Sequence, residues 1–432
     1  MPTRHVPIAI LGAGLTGLSA ARAIRRARGT CRVFERSRHV GGHARTITDA
    51  GYRFDCTGHL LHLRSEALRE DVLDLLDGAC FEIDRKSVVF SNGVTTPYPF
   101  QAHTYGLPPQ VAYECLLGFL AAVQHAAPEP PHNFEEYCLR HFGAGFSRHF
   151  MLPYNRRLFG VPLDQITTDW CERFVPRPKL EDVVAGAVGL ENPKLGYNSR
   201  FLYPKLGIGE LSRALARAAG DISFETPLVE LRPEQKELSV GAEVLRYETL
   251  VSSVPLTVLL DSIRDLPSEV AAARKRLRVT ELRYLDVALS VPARRDFHWA
   301  YVPEERFPFY RVGQYSAFSP EMAPVGGSSL YVELVERRLP DLPRLVPEVL
   351  SGLRELGVIE NAGDVRFVRA RHLEQAYVIY DSQRAPALSV IEPYLESLGV
   401  ISTGRYGAWN YSSMEDALGF GAAAAERALV RT

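Results

Sequence analysis

Val6-Pro7-Ile8-Ala9-Ile10-Leu11-Gly12-Ala13-Gly14-Leu15-Thr16-Gly17, close to the N-terminus, decides the fold. The apolar run 8–11 reads as a buried strand and residues 18–28 as the helix that follows. Between them, glycines at 12, 14 and 17 have the dinucleotide-binding spacing: one for a tight turn, one for close approach of the backbone to a pyrophosphate, one for helix–strand packing. The phosphates would rest on the helix N-terminus, where free N–H groups and the macrodipole favour an anion. A second short strand, residues 31–34, ends in Glu35, an acid placed to accept a hydrogen bond from an adenosine ribose. The expected class is α/β, starting with a Rossmann unit.

After Glu35 comes Arg36-Ser37-Arg38-His39-Val40-Gly41-Gly42-His43. Two adjacent glycines just past the ribose-binding acid suit a backbone that runs beside an extended cofactor. The segment resembles the FAD-binding start of glutathione-reductase-like flavoproteins. The end of the chain agrees: Val400-Ile401-Ser402-Thr403-Gly404-Arg405-Tyr406-Gly407 is again strand then glycine, followed by an alanine-rich helical stretch at 414–430. In such flavoproteins a C-terminal strand–glycine–helix returns to the first domain at the flavin end. The resemblance implies FAD held by Gly12, Gly14, Gly17, Glu35, Gly42, His43, Gly58, Gly404, Arg405 and Met414. Val229, in Pro227-Leu228-Val229-Glu230, stands where such enzymes place a backbone contact to adenine.

A chain of 432 residues exceeds a usual single core, and 46% hydrophobic residues argue against disorder. The formal net charge of −1 gives no global pull toward nucleic acid or acidic membranes. Any anion site must come from local arginines. Six cysteines show neither a Cys-x-x-Cys pair nor metal-ligand spacing, so reduced buried thiols and no metal are expected. No signal peptide is visible, and the longest apolar stretch, 115–123, is far below the roughly 20 residues that span a bilayer. The expected location is cytoplasmic, without membrane insertion. No exposed apolar stripe is evident, which leaves monomer and homodimer both open.

The order of elements looks interrupted rather than serial. Residues 1–85 read as the first part of the FAD domain, with a helix at 65–76. Residues 86–100 read as strands of a sheet domain, a hairpin turning at Asn92-Gly93. Residues 101–198 read as a helical substrate-binding domain, and 199–260 as the second part of the FAD domain. Residues 261–384 read as an antiparallel sheet domain, with strands at 282–291, 298–302, 328–335 and 366–370. Residues 385–432 return to the FAD domain.

On the substrate side, Tyr98-Pro99-Phe100-Gln101 sets two aromatics beside an amide, and Phe150, Tyr154 and Asn155 lie on a helix end. An amide with aromatic faces suits a nucleobase. Arg173 and Arg311 each offer a planar fork for phosphate oxygens. Tyr203, Tyr301, Tyr377 and Tyr411 could add hydroxyl donors. Each of these groups has a bland alternative as packing or solvated charge.

Nearly end to end, these motifs resemble the UDP-galactopyranose mutase family, more its eukaryotic-type branch than the bacterial one. Phe54-Asp55-Cys56-Thr57-Gly58-His59 resembles the flavin-edge segment, with His59 as the mobile-loop histidine. Arg85 with Tyr98-Pro99-Phe100-Gln101 resembles the uridine-side segment, and Phe150-Met151-Leu152-Pro153-Tyr154-Asn155 the run that holds uracil and ribose. Arg173 and Arg311 match the arginines that clamp the diphosphate. Asn198, Trp299, Tyr301, Tyr377 and Tyr411 match further substrate contacts. The chain departs from the family at Phe159, where a tryptophan is usual, and at Met414-Glu415-Asp416, where the family has Asn-Gln-Asp. Thr57 replaces a glycine, and His62 is an added histidine.

The resemblance implies a non-redox isomerisation of a UDP-hexose, UDP-galactopyranose to UDP-galactofuranose or a related pair. In it reduced FAD, through N5, displaces UDP from the anomeric carbon, and the ring reopens and recloses before UDP returns. Catalytic roles fall on Arg173, Arg311 and His59, the last in shaping the flavin environment. NAD(P)H or a reductase would supply electrons. The competing class shares the FAD domain: amine-oxidase and protoporphyrinogen-oxidase-like enzymes, which the paired arginines and the uridine-like run argue against.

Overall fold

The computed structural model describes residues 4–125, 128–190, 199–335 and 341–431. At its centre β1 (Arg4–Leu11) is buried throughout 8–11, as a strand covered on both faces must be. It pairs in parallel with β2 (Cys31–Phe34) on one side and with strand Glu243–Ser252 on the other. The short strands Ile222–Ser223 and Val400–Ser402 extend the parallel run at its two ends. One sheet therefore draws on stretches separated by most of the chain.

Helix α1 (Leu15–Arg26) begins three residues before the expected residue 18, because Gly14 itself takes the extended N-cap conformation (φ −75°, ψ 176°). It stops short of residue 28, since Arg28 lies in the left-handed region at φ 62°. Its buried face, Leu18, Ala21 and Ile24, packs with Leu211 and Leu215 of helix Gly209–Ala219 and with Ala424 and Ala428 of helix Met414–Arg431.

A second seven-stranded sheet has the order Val365–Val378, Val279–Leu289, Ser328–Leu334, Phe309–Gln314, Trp299–Tyr301, Ser87–Ser91, Val94–Pro97. The hairpin at Asn92-Gly93 forms as expected, with φ 55° and 74°. The sheet is not wholly antiparallel: Trp299–Tyr301 and Ser87–Ser91 run parallel. Strand Phe309–Gln314 has no counterpart in the sequence reading, and Val365–Val378 runs well past the expected residue 370. The latter is an edge strand rich in Arg, Glu and His, so it lacks the apolar alternation that marks a half-buried strand.

Helices Pro109–Gln124, Phe134–Phe146, Leu152–Phe159, Cys171–Phe174 and Leu180–Val188 form the helical insertion. They expose apolar side chains at helical steps, Tyr113 with Leu117 and Val184 with Val188, contrary to the expectation of no such stripe. Helices Leu256–Asp261 and Ser268–Arg276 bury Leu259, Leu260 and Val270 in the core that holds Ala9 and Leu250. The expected division at residue 260 thus runs through a unit packed on the Rossmann sheet. All six cysteines are free thiols, and among the described residues no helix is long and apolar enough to cross a membrane.

Candidate active site

A continuous cavity of about 880 Å³ runs from the Rossmann fingerprint to the aromatic residues of the helical insertion and second sheet. Its first part is walled by Gly12, Gly14, Thr16, Glu35, Arg36, Thr226 and Leu228. The glycines there have separable roles. A Cβ on Gly17 would lie 2.0 Å from Gly12 O, so Gly17 keeps helix and strand in contact. A Cβ on Gly14 would meet nothing within 4 Å. That empty volume, at the start of a helix, is a cradle the protein's own packing does not need, and it suits a pyrophosphate. The Glu35 carboxylate accepts Ala13 N–H (2.8 Å) and Ser37 N–H (2.9 Å), which aims it while leaving lone pairs for a ribose hydroxyl.

Gly41 N–H donates to Ala13 O at 2.7 Å, and this bond carries the wall on to Gly42, His43, Arg45, Gly58 and His59. Tyr406 donates its hydroxyl to Ala376 O (3.0 Å), so His43 Nδ1, 3.1 Å from the phenolic oxygen, is the donor to it. Burial, with His59 and Arg405 adding to it, pulls His43 down to about 3. Burial and then Arg405 pull His59 down to about 4. Both rings are neutral near pH 7. Positive charge on this stretch of wall comes from arginine instead. Arg405 donates to Ser412 O (2.6 Å) and lies over the rings of Tyr411 (4.7 Å) and Tyr377 (5.8 Å).

Two aromatic groups follow. In one, Tyr98 packs on Tyr301 with centroids 4.7 Å apart, and Phe150 stacks on Tyr154 at 5.5 Å and 14°. Gln101 donates Nε2 to Pro176 O (2.9 Å), while its buried Oε1 has no hydrogen-bond partner among the described residues. Asn155 donates to Met151 O at 2.7 Å. Arg311 crosses this group: Nη2 and Nε point to the Tyr154 hydroxyl (2.7 and 3.2 Å), and Nη1 to fully buried Glu333 (3.2 Å). Burial opposes the Arg311 charge, but Glu333 and the phenols outweigh it and hold its pKa well above the usual value. The other group joins Phe159, Trp170, Phe174, Tyr377 and Tyr411. Trp170 spends its ring N–H on Thr167 O (3.1 Å), so it does not replace the donor absent at Phe159. Trp299 also lines the cavity.

Several expected residues stand off the wall. Gly17 and Gly404 are packing positions; a Cβ on Gly404 would lie 2.7 Å from Thr16 Oγ1. Val229 is exposed, and Thr226, Pro227 and Leu228 take the wall position instead. Phe100 is fully buried beneath Phe150 (5.1 Å). Arg85 backs the ring of Tyr98 at 5.2 Å. Arg173 does not line the cavity: it donates Nη2 to both oxygens of Asp416 (2.8 and 2.7 Å). Asn198 lies outside the described residues. Met414 lines the cavity. Its neighbour Glu415 accepts Arg64 N–H (2.8 Å), Ser65 N–H (2.9 Å) and Arg64 Nε (2.7 Å). Glu415 thus fastens the segment that follows His59 and His62.

Sequence reading passed over Arg157, Glu333 and Arg45. Glu333 had a signal, a lone acid in the otherwise apolar run Leu330-Tyr331-Val332-Glu333-Leu334. Arg45 followed the glycine pair, and Arg157 had none, being one of two adjacent arginines in a helix.

Residues 10–77 match the NAD(P)-binding Rossmann-like domain. Over the whole fold the chain is similar to a crystal structure of reduced UDP-galactopyranose mutase, with a TM-score of 0.92 and 26% identity over 99% of this chain and 96% of that one. A protein assigned as a protoporphyrinogen oxidase from Exiguobacterium sp. 255-15 gives 0.75 and 16%, over 99% and 98% of the two chains. Putrescine oxidase bound to putrescine gives 0.68 and 17%, over 99% and 100%. At those identities the two oxidases share the fold alone. The resemblance to UDP-galactopyranose mutase, first visible in the motifs, extends over the whole structure.

Proposed function

We propose that the protein is an FAD-dependent UDP-sugar mutase, an isomerase that interconverts pyranose and furanose forms of a UDP-hexose such as UDP-galactose. One observation carries the reading. The cavity that starts at the dinucleotide fingerprint continues into a chamber lined by two aromatic pairs, by Gln101, whose buried Oε1 has no partner among the described residues, and by the half-buried Arg311. The Gln101 Oε1 acceptor suits the N3–H of uracil, the Tyr98, Tyr301, Phe150 and Tyr154 rings suit its faces, and Arg311 suits a diphosphate. An oxidase of apolar amines would leave the Gln101 acceptor unused. The 0.92 likeness to a UDP-galactopyranose mutase supports the same reading.

Bound FAD in its reduced form, supplied by NAD(P)H or a reductase, would contribute a nucleophilic nitrogen at the sugar's anomeric carbon. The chain's own residues do the rest. Gly12, Gly14 and Glu35 hold the cofactor's pyrophosphate and ribose. Arg311, pre-aimed by Tyr154 and Glu333, stabilises the charge that grows on the departing diphosphate. Arg173, held on Asp416 off the cavity wall, is not assigned to the diphosphate. His43 and His59, neutral in the wall, shape the cofactor's surroundings without adding charge. Phe159, Trp170, Tyr377 and Tyr411 give the sugar an aromatic enclosure with few ring donors.

Calorimetric titration of the flavin-loaded protein with UDP, GDP and TDP tests the reading. UDP should bind most tightly, because a pocket sized for uracil has no room for a purine and little for a 5-methyl group. Equal binding of all three, or none, removes the uridine assignment.

A further inference from the structure

The hairpin that carries Trp299, Tyr301 and Arg311 is joined to the helix that carries Tyr154 and Asn155 by a side chain outside the cavity wall. Arg157, on helix Leu152–Phe159, is only 6% exposed. Its guanidinium donates to four backbone carbonyls: Val302 O (2.9 Å), Phe309 O (2.8 Å), Glu304 O and Phe307 O. All four lie on or beside the connection between strands Trp299–Tyr301 and Phe309–Gln314. The hairpin already closes on itself through Val302 N–H to Tyr310 O (2.8 Å). What Arg157 adds is a tie from hairpin to helix.

That tie completes a ring of contacts. Tyr301 directly precedes the first clamped carbonyl, and Arg311 follows the last by two residues. Arg311 then returns to the Tyr154 hydroxyl, three residues before Arg157 on the same helix. A planar fork can serve four acceptors spread along a loop, whereas an ammonium directs its three N–H bonds from one atom. Burying a cation away from water is costly unless its hydrogen bonds are made. Its presence here marks a register that packing alone does not set.

We propose that Arg157 is a positioning residue. It fixes the register in which Arg311 and Tyr301 meet Tyr154, and through them it sets affinity for the diphosphate of a nucleotide. The proposal rests on the nucleotide reading of the cavity.

A double-mutant cycle on the flavin-loaded protein tests it, with UDP titrated into wild type, Arg157→Lys, Arg311→Lys and the double variant. Arg157→Lys should weaken UDP binding about tenfold or more, the scale of a lost charge-assisted contact, with flavin content unchanged. In the Arg311→Lys background the same change should cost less than about twofold. Equal losses in both backgrounds, or full affinity in Arg157→Lys, would overturn the proposal. A measurement on the unaltered protein stands beside the cycle in case the variant does not fold. Amides of residues 302, 304–307 and 309 should exchange hydrogen more slowly when UDP is bound, and unchanged exchange there would also overturn it. Failure of the nucleotide reading itself is separately visible, because wild type would then bind no UDP.

Discussion

Gly14 and Gly17 stand three residues apart in one fingerprint, yet opposite outcomes are expected when each becomes alanine. At Gly14 the backbone (φ −75°) accepts any L residue, and an added Cβ meets no atom within 4 Å. Reduced freedom of the unfolded chain favours alanine by about 0.4–1 kcal/mol, while loss of glycine at an N-cap costs a similar amount. The cofactor-free Gly14→Ala protein should therefore match wild type within about 1 kcal/mol. Its flavin affinity should nonetheless fall by about 1.5–3 kcal/mol, because the methyl group fills the phosphate approach and displaces charge-assisted N–H contacts. Gly14→Val should abolish binding. Gly17→Ala places its Cβ 2.0 Å from Gly12 O, so α1 must shift off β1, and overpacking of this kind costs roughly 1–3 kcal/mol in the cofactor-free protein. Urea unfolding of deflavinated proteins, paired with flavin titration, separates the two effects. Wild-type flavin affinity in Gly14→Ala would refute the cradle, and so would a cofactor-free protein as damaged as Gly17→Ala.

Four further outcomes are expected. Gln101→Ala should weaken UDP binding and, through loss of the Nε2 bond to Pro176 O, cost about 0.5–1.5 kcal/mol of stability; a lower melting temperature with unchanged UDP affinity would mark the segment as packing. Arg173→Ala should change turnover and stability little, because its guanidinium stands off the cavity wall and a half-exposed ion pair contributes only about 0–1 kcal/mol. Arg311→Ala should slow turnover and also destabilise by about 3–5 kcal/mol by stranding buried Glu333, and denaturation with steady-state rates on both variants checks the contrast. Because folding lowers His43 to about 3 and His59 to about 4, the unfolded state binds more protons below its own value near 6.5. Stability should thus be fully present above that pH and fall on acidification, by up to roughly 1.4 kcal/mol per pH unit per histidine, so a melting temperature flat between pH 7 and 4.5 would contradict the buried neutral rings.

What was legible in the sequence is what short-range chemistry encodes. The glycine spacing, β2 with Glu35 and the Asn92-Gly93 hairpin each depend on a few consecutive residues, and each stands where the pattern placed it. Convergence in space was less legible. Strand Phe309–Gln314 drew attention for Arg311 and not for its strand character. Arg157 and Glu333 matter through partners about 145 and 22 residues away in sequence. The Arg173–Asp416 pair joins residues 243 apart, and nothing local in Trp170-Cys171-Glu172-Arg173 says that its arginine is held outside the cavity. Similarly, Leu259, Leu260 and Val270 look alike whether they face the first sheet or the second, because apolar periodicity records burial and not the partner.

The most direct test of the central claim is incubation of flavin-loaded, dithionite-reduced protein with UDP-galactopyranose and other UDP-hexoses, with products identified by NMR. The account predicts a furanose isomer of at least one UDP-hexose, formed over many turnovers with the flavin still reduced and no change in the sugar's oxidation state. It is contradicted if every UDP-hexose is returned unchanged, or if conversion takes place only with oxidised flavin and yields an oxidised product.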